Sequence, residues 1–314
     1  MSRRLREASG GRSHINITNC SNVMVVGNIQ CDSLVLGSHG VRVSHKTKTT
    51  APKDLTDEYY KMDSHPKGLC LIIQNENFPG GDTRKGAHKD LERLEKIFKN
   101  LEFDVRVSCD LTADKMKDVM AKEAREFKAD FDCLVCIIMS HGKDGQLLGT
   151  DNFYVKVNDL SSYFQPDRCK NLIDKPKIFF IQACRGENYQ IGCTSYDSTI
   201  TSDVKLDKDL PEEVDLAAVH AQSQLPAGIP NEKDFMFGYA TVPGYRALRD
   251  ENSGCWYIQA LADVFEKYAD SEDLNSMMTR VNAIVNKQMT TKRCGPVVQT
   301  PVYHNALTKK VIFY

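Results

Sequence analysis

An α/β fold, a mainly parallel sheet with helices on both faces, is predicted by three features of this sequence. Unbroken apolar runs alternate with segments of helical period from Gly68 onward. The 314 residues are 41% hydrophobic, enough for a sizeable core. A candidate nucleophile and a candidate base each follow the carboxyl end of an apolar run, where open α/β sheets gather their ligand sites.

Taken in order, residues 1–50 form a unit of a different kind. Four brief alternating bursts, Ile15/Ile17, Val23/Val25, Leu34/Leu36 and Val41/Val43, are separated by Asn, Ser, Gly and Asp and read as short strands. Residues 51–63 read as a linker. Leu69 to Ile73 is the first buried strand. Leu91, Leu94, Ile97, Phe98 and Leu101 recur at three- and four-residue steps, which predicts a helix over 87–101. Val105 and Val107 mark a short strand, followed by a helix over 112–127 and a strand over 133–139. A helical stretch over 157–164 precedes a strand over 176–183. The polar, aspartate-bearing stretch from Gly192 is a long exposed connector, with its core at 198–231. It divides a large part, 64–197, from a small part, 232–314. In the small part a strand over 235–240 and helices over 256–268 and 273–287 are expected, and 297–314 should supply the closing strands.

Charge and cysteine usage exclude several function classes. A net charge of −1 gives no general attraction to nucleic acid or membrane. No apolar segment suits a signal peptide or a membrane span, so the 11 cysteines are expected to be free thiols in the cytoplasm. Cys133 and Cys136 have the spacing of a ligand pair, yet on a strand residues three apart face opposite ways, so they read as packing thiols and no metal or cofactor is implied.

The chemistry lies in two short motifs. Gln182-Ala183-Cys184-Arg185-Gly186 ends the run Ile178-Phe179-Phe180-Ile181, and Ser140-His141-Gly142 ends another apolar run 43 positions before the cysteine. A thiol needs a base, and Arg185 is the only titratable neighbour of Cys184. His141 is therefore the natural partner, forming the thiolate and later protonating the leaving amine. The backbone N–H groups of Cys184 and Gly142 are the expected oxyanion donors, the glycine leaving room for substrate. No third catalytic side chain is evident.

The pentapeptide and its upstream histidine resemble the signature of the caspase family. The likeness continues through Lys67-Gly68-Leu69-Cys70-Leu71-Ile72-Ile73 with Asn75 and Asn77-Phe78, Arg84-Lys85-Gly86-Ala87 with Asp90, Pro243-Gly244-Tyr245 with Arg249, and Trp256-Tyr257-Ile258-Gln259. It runs from about Tyr60 to Tyr314. The resemblance implies a six-stranded, caspase-like sheet and a cysteine endopeptidase that cuts proteins at exposed Asp sites. It also implies a zymogen whose connector is cut, two large and two small subunits then forming the homodimer, in apoptosis or innate-immune signalling.

Arg84, Gln182 and Arg249 match the family positions that line the primary pocket. Two guanidiniums and an amide suit one short carboxylate, so cleavage after Asp is expected. Arg246, Leu248 and Trp256 are expected along the adjoining groove. Many effector caspases carry aromatic residues there, whereas this chain has Arg246-Ala247-Leu248, and Asp250 is expected to repel an Asp four residues upstream of the cut. Candidate processing sites are Asp54, Asp57 and Asp63 before the catalytic part, and Asp197, Asp203, Asp207, Asp209 and Asp215 in the connector.

Residues 15–28, with Ser21-Asn22-Val23-Met24-Val25-Val26-Gly27-Asn28 at their core, resemble the RIP homotypic interaction motif. Short uncharged β-branched segments between Asn and Gly turns suit stacked, amyloid-like pairing with a second copy or an adaptor, with disorder as the alternative. Such a prodomain points to an initiator activated by clustering. The lead Tyr60-Lys61-Met62-Asp63 is effector-like and points instead to activation by an upstream protease. A non-catalytic scaffold is the remaining alternative.

Overall fold

The computed structural model describes residues 57–192 and 229–314, together with the backbone of two short strands nearer the amino terminus. Two units make up the chain, Met1–Thr49 and Thr50–Tyr314. In the first, β1 (Val35–Gly37) and β2 (Gly40–Arg42) pair antiparallel with Leu36 opposite Val41, within the third and fourth apolar bursts. The first two bursts, the motif over 15–28, and Asp54, Asp197, Asp203, Asp207, Asp209 and Asp215 lie outside the described residues.

The second unit opens with β3 (Gly68–Gln74), α1 (Ala87–Asn100), β4 (Asp104–Cys109), α2 (Ala113–Arg125) and β5 (Cys133–Met139). A small antiparallel ribbon follows, β6 (Gly142–Lys143), β7 (Gln146–Leu148) and β8 (Tyr154–Lys156), then α3 (Val157–Ser161), β9 (Lys177–Gln182) and β10 (Gln190–Ile191). Beyond the connector come β11 (Phe235–Tyr239), β12 (Arg249–Asp250), β13 (Gly254–Cys255), α4 (Trp256–Tyr268) and α5 (Leu274–Val285). The last strands are β14 (Thr290–Lys292), β15 (Gly295–Val298) and β16 (Val302–Asn305).

Six strands build the main sheet in the order β16-β11-β9-β5-β3-β4, parallel except for β16. This is the expected mainly parallel, six-stranded arrangement. Every residue of β3, β5 and β9 is buried, as their unbroken apolar runs require for strands covered on both faces. Alternate side chains feed two cores. Cys70, Ile72, Cys133 and Val135 pack with α1, α4 and α5, whereas Leu69, Leu71, Leu134 and Cys136 pack with α2 and α3. Cys133 and Cys136 therefore face opposite ways, as the strand period demands. Among the described residues no helix is long and apolar enough to cross a membrane.

The helices form where spacing and caps agree. On α1 the predicted stripe buries Leu94, Ile97 and Phe98, with Leu91 and Leu101 packed at its margin. Thr112 caps α2 by accepting from Lys115 N at 3.2 Å, and Asp273 caps α5 by accepting from Asn275 N and Ser276 N. Asp90, fully buried on α1, accepts from Cys255 N at 3.1 and 3.0 Å and from Gln259 Nε2 at 2.7 Å, tying the large part to the small. Asp90→Ala is expected to lower stability by about 3 kcal/mol, read as a lower urea midpoint, because it leaves buried donors unpaired.

The chain moves outward from β3 to β4 and then returns to place β5 on the other side of β3. Between the carboxyl ends of β3 and β5, therefore, the connections diverge and a crevice opens. The register aligns Gln74 with Met139 and Met139 with Gln182, so the loops bearing Arg84, His141 and Cys184 all leave one edge of the sheet.

Candidate active site

Cys184 stands two residues past the end of β9. Ser140 N donates to Gln182 O and Ala240 N to Ile181 O, so the ladder holds the strand on both sides up to that point. The thiol is half-buried and lies 3.9 Å from Ala247 O. His141 stands two residues past β5, its ring tilted 55° to that of Phe78 with centroids 4.8 Å apart. Burial first, then the Arg84 guanidinium, hold the imidazole below its ordinary pKa; Asp82 pulls it up and Arg249 lowers it again. A neutral imidazole at neutral pH is the form that takes a proton from a thiol.

Gly142 has a reason that the sequence did not disclose. A Cβ there would stand 2.5 Å from Gln146 O and 2.9 Å from Ala183 Cβ, so the glycine lets the β6–β7 turn press against the chain that bears the nucleophile. The requirement comes from packing within the protein.

Arg84 is 1% exposed, yet among the described residues no carboxylate hydrogen-bonds it, and Asp90 acts on it through charge alone. Its Nη1 donates to Asn75 O at 2.9 Å and its Nη2 lies 3.7 Å from Cys255 Sγ. Arg249 pairs with Cys255 across β12–β13, which brings the second guanidinium to the same corner, and each arginine lowers the pKa of His141. Gln182 is buried and its Oε1 has no hydrogen-bond partner among the described residues. A buried guanidinium that no carboxylate hydrogen-bonds among the described residues, with a second guanidinium beside it, makes a corner that favours a small anion.

Asn75 fixes this corner and was not singled out as a positioning residue from sequence. Fully buried, it donates to Leu111 O and Leu148 O, accepts from Leu111 N, and presents its own carbonyl to Arg84. The adjoining cleft encloses about 230 Å³. His141, Cys184, Leu248 and Arg249 line it, joined by Tyr189 and Lys292, for which the sequence carried no signal.

A caspase-domain family model matches residues 67–312. The chain belongs to the caspase family. It is 33% identical to caspase-3 of Bos taurus over 289 residues, covering 90% of this chain and 97% of the relative. It is 35% identical to caspase-7 of Gallus gallus over 261 residues, covering 81% and 79% respectively. Caspase-3 of Oryctolagus cuniculus is 33% identical over 277 residues. The protein is thus a cysteine endopeptidase, a hydrolase.

Within this caspase the remaining sequence-selected residues fall as follows. Arg246 lines the cleft, its Nε donating to Glu187 O at 2.7 Å and its guanidinium 5.3 Å from the Tyr189 ring centroid. Trp256 begins α4, half-buried, and is not among the cleft-lining residues. The Asp250 carboxylate accepts from Asn252 N, Ser253 N and Ser253 Oγ in its own turn. Asp57 is exposed. Asp63 is exposed too, but its N–H and that of Ser64 are anchored on Asp132 beside the fully buried Met62.

Proposed function

We propose that this caspase cleaves protein chains after Asp, with Cys184 as nucleophile and His141 as base. The buried Arg84, which no carboxylate hydrogen-bonds among the described residues, carries that reading, because a substrate carboxylate would accept from its guanidinium. His141 takes the Sγ proton as sulfur attacks the scissile carbonyl carbon. The N–H groups of Cys184 and Gly142 are the donors assigned to the oxyanion. Collapse breaks the C–N bond, and the imidazolium gives its proton to the leaving amine. Water then attacks the thioester, His141 again taking the proton, and Cys184 is released as the thiol.

Turnover of peptides ending in Asp, Glu or Arg, with intact mass before and after incubation, tests the reading. Asp-only cleavage is expected; an inactive protein after deliberate connector cleavage would favour a scaffold. The depressed His141 pKa predicts that the acidic limb of kcat/KM lies below the ordinary imidazole value of about 6.5. Sign follows from charge: burial and two arginines disfavour the imidazolium, so the active base form persists to lower pH.

Processing within 198–231 would separate large and small subunits, and the open edge of β16 suits antiparallel pairing with a second copy. Similarity to caspase-3 and caspase-7 favours an executioner cut by an upstream protease over a self-clustering initiator. For residues 15–28 the reading is homotypic recruitment, and thioflavin T binding by the full chain tests it.

A further inference from the structure

His141 Nε2 is enclosed and makes no hydrogen bond among the described residues, although Asp82 Oδ2 approaches to 3.3 Å. The approach is off the line of a ring N–H, so a small movement of the carboxylate or the ring completes the bond. Asp82 is held close by its own turn. Phe78 N donates to Asp82 O at 2.8 Å across Pro79–Gly81, where Gly80 and Gly81 have positive φ, and the Phe78 ring covers His141. That bond engages the Asp82 carbonyl, leaving its carboxylate as the group that faces Nε2. An enclosed Nε2 also leaves Nδ1 as the nitrogen for the thiol.

We propose that Asp82 is a positioning residue of this enzyme, its carboxylate accepting a hydrogen bond from His141 Nε2–H and holding the tautomer whose Nδ1 is the base. The inference rests on the reading of His141 as base to Cys184. Transfer of the Sγ proton to Nδ1 makes an imidazolium that faces Arg84 and Arg249, with Arg246 and Lys292 also on the cleft wall. Among the described residues Asp82 is the carboxylate that offsets those cations at the ring. It holds no proton at the end of the step; the proton leaves with the amine.

The test follows kcat, KM and Cys184 alkylation by iodoacetamide against pH in the full chain, with Asp82→Asn, Asp82→Glu and His141→Ala beside the wild type. Asp82→Asn is expected to lower kcat about tenfold at nearly unchanged KM and to move the acidic limb about half a unit down, since a charge favouring the imidazolium is gone. Asp82→Glu should restore most of both. Imidazole ¹⁵N spectra should show the Nε2-protonated tautomer in the wild type and a mixture in Asp82→Asn. A wild-type kcat and acidic limb in Asp82→Asn would overturn the inference, as would a kcat loss with an unmoved limb that glutamate does not restore. Turnover surviving in His141→Ala would instead overturn the reading of the base, and the inference with it.

Discussion

Cys184→Ala is expected to reduce turnover of an Asp-ended peptide by about six orders of magnitude while leaving the fold intact. Removing the nucleophile of a hydrolase leaves only the rate that binding and oxyanion donors supply. The structural cost is small, because among the described residues the thiol's hydrogen-bond-like contact is the 3.9 Å approach to Ala247 O. A melting temperature within about 2 °C of the wild type should accompany the loss, as expected for a substitution worth well under 1 kcal/mol. Residual cleavage at more than about a thousandth of the wild-type rate would assign the chemistry to another group.

Arg84→Met should produce the next largest effect, and it should act on substrate choice. A desolvated charge pair that loses one partner costs about 2–5 kcal/mol, so kcat/KM for Asp peptides should fall roughly 30- to several-thousand-fold. Methionine refills much of the volume and needs no counter-charge. The fold also loses bonds to Asn75 O and Cys255 Sγ, so a denaturation midpoint belongs beside the kinetics. Arg84→Lys keeps the charge but not the planar fork that grips two oxygens, and should recover only part of the rate. Equal losses for Asp- and Asn-ended peptides would place the primary specificity elsewhere.

The sheet was legible because its strands are written plainly. Leu69 to Ile73, Cys133 to Met139 and Ile178 to Ile181 are apolar throughout, and no surface strand has that composition. The stripe from Leu91 to Leu101 was equally readable, since three of its members face the core and two flank it. Four short strands were not legible: β6, β7, β10 and β14, of two or three residues each, lie where no apolar period marks them, and they form because neighbouring backbone is already in place. The expected closing strands proved to be β15 and β16, after which the chain makes only an isolated bridge from Lys310 to Tyr59.

The site was legible as chemistry and obscure as geometry. Cysteine and histidine at strand ends could be named from sequence, but an arginine reads as surface until its burial is known, and Arg84 was selected through family likeness alone. Lys292 reaches the cleft from β14, and Asp82 reaches His141 from a turn. Such contacts depend on tertiary closure, and neighbouring letters do not encode them. Gly142 shows the reverse case, a residue singled out from sequence for substrate access, where the structure shows a tight contact with Gln146 and Ala183.

The two sides of the connector are woven together, and this bears on what severing it would do. β11, after the connector, pairs with β9, before it, so one hydrogen-bonded ladder runs across the break. Below Cys184 the weave continues: Arg185 N donates to Tyr245 O, Gly244 N to Arg185 O, and Arg246 N to Asn188 O. A cut would therefore turn one chain into two without turning one folding unit into two. Folding would change molecularity, from a first-order event with no dependence on dilution to a second-order encounter between fragments. The cut protein should hold together while folded, yet once denatured it should recover more slowly the more dilute it is.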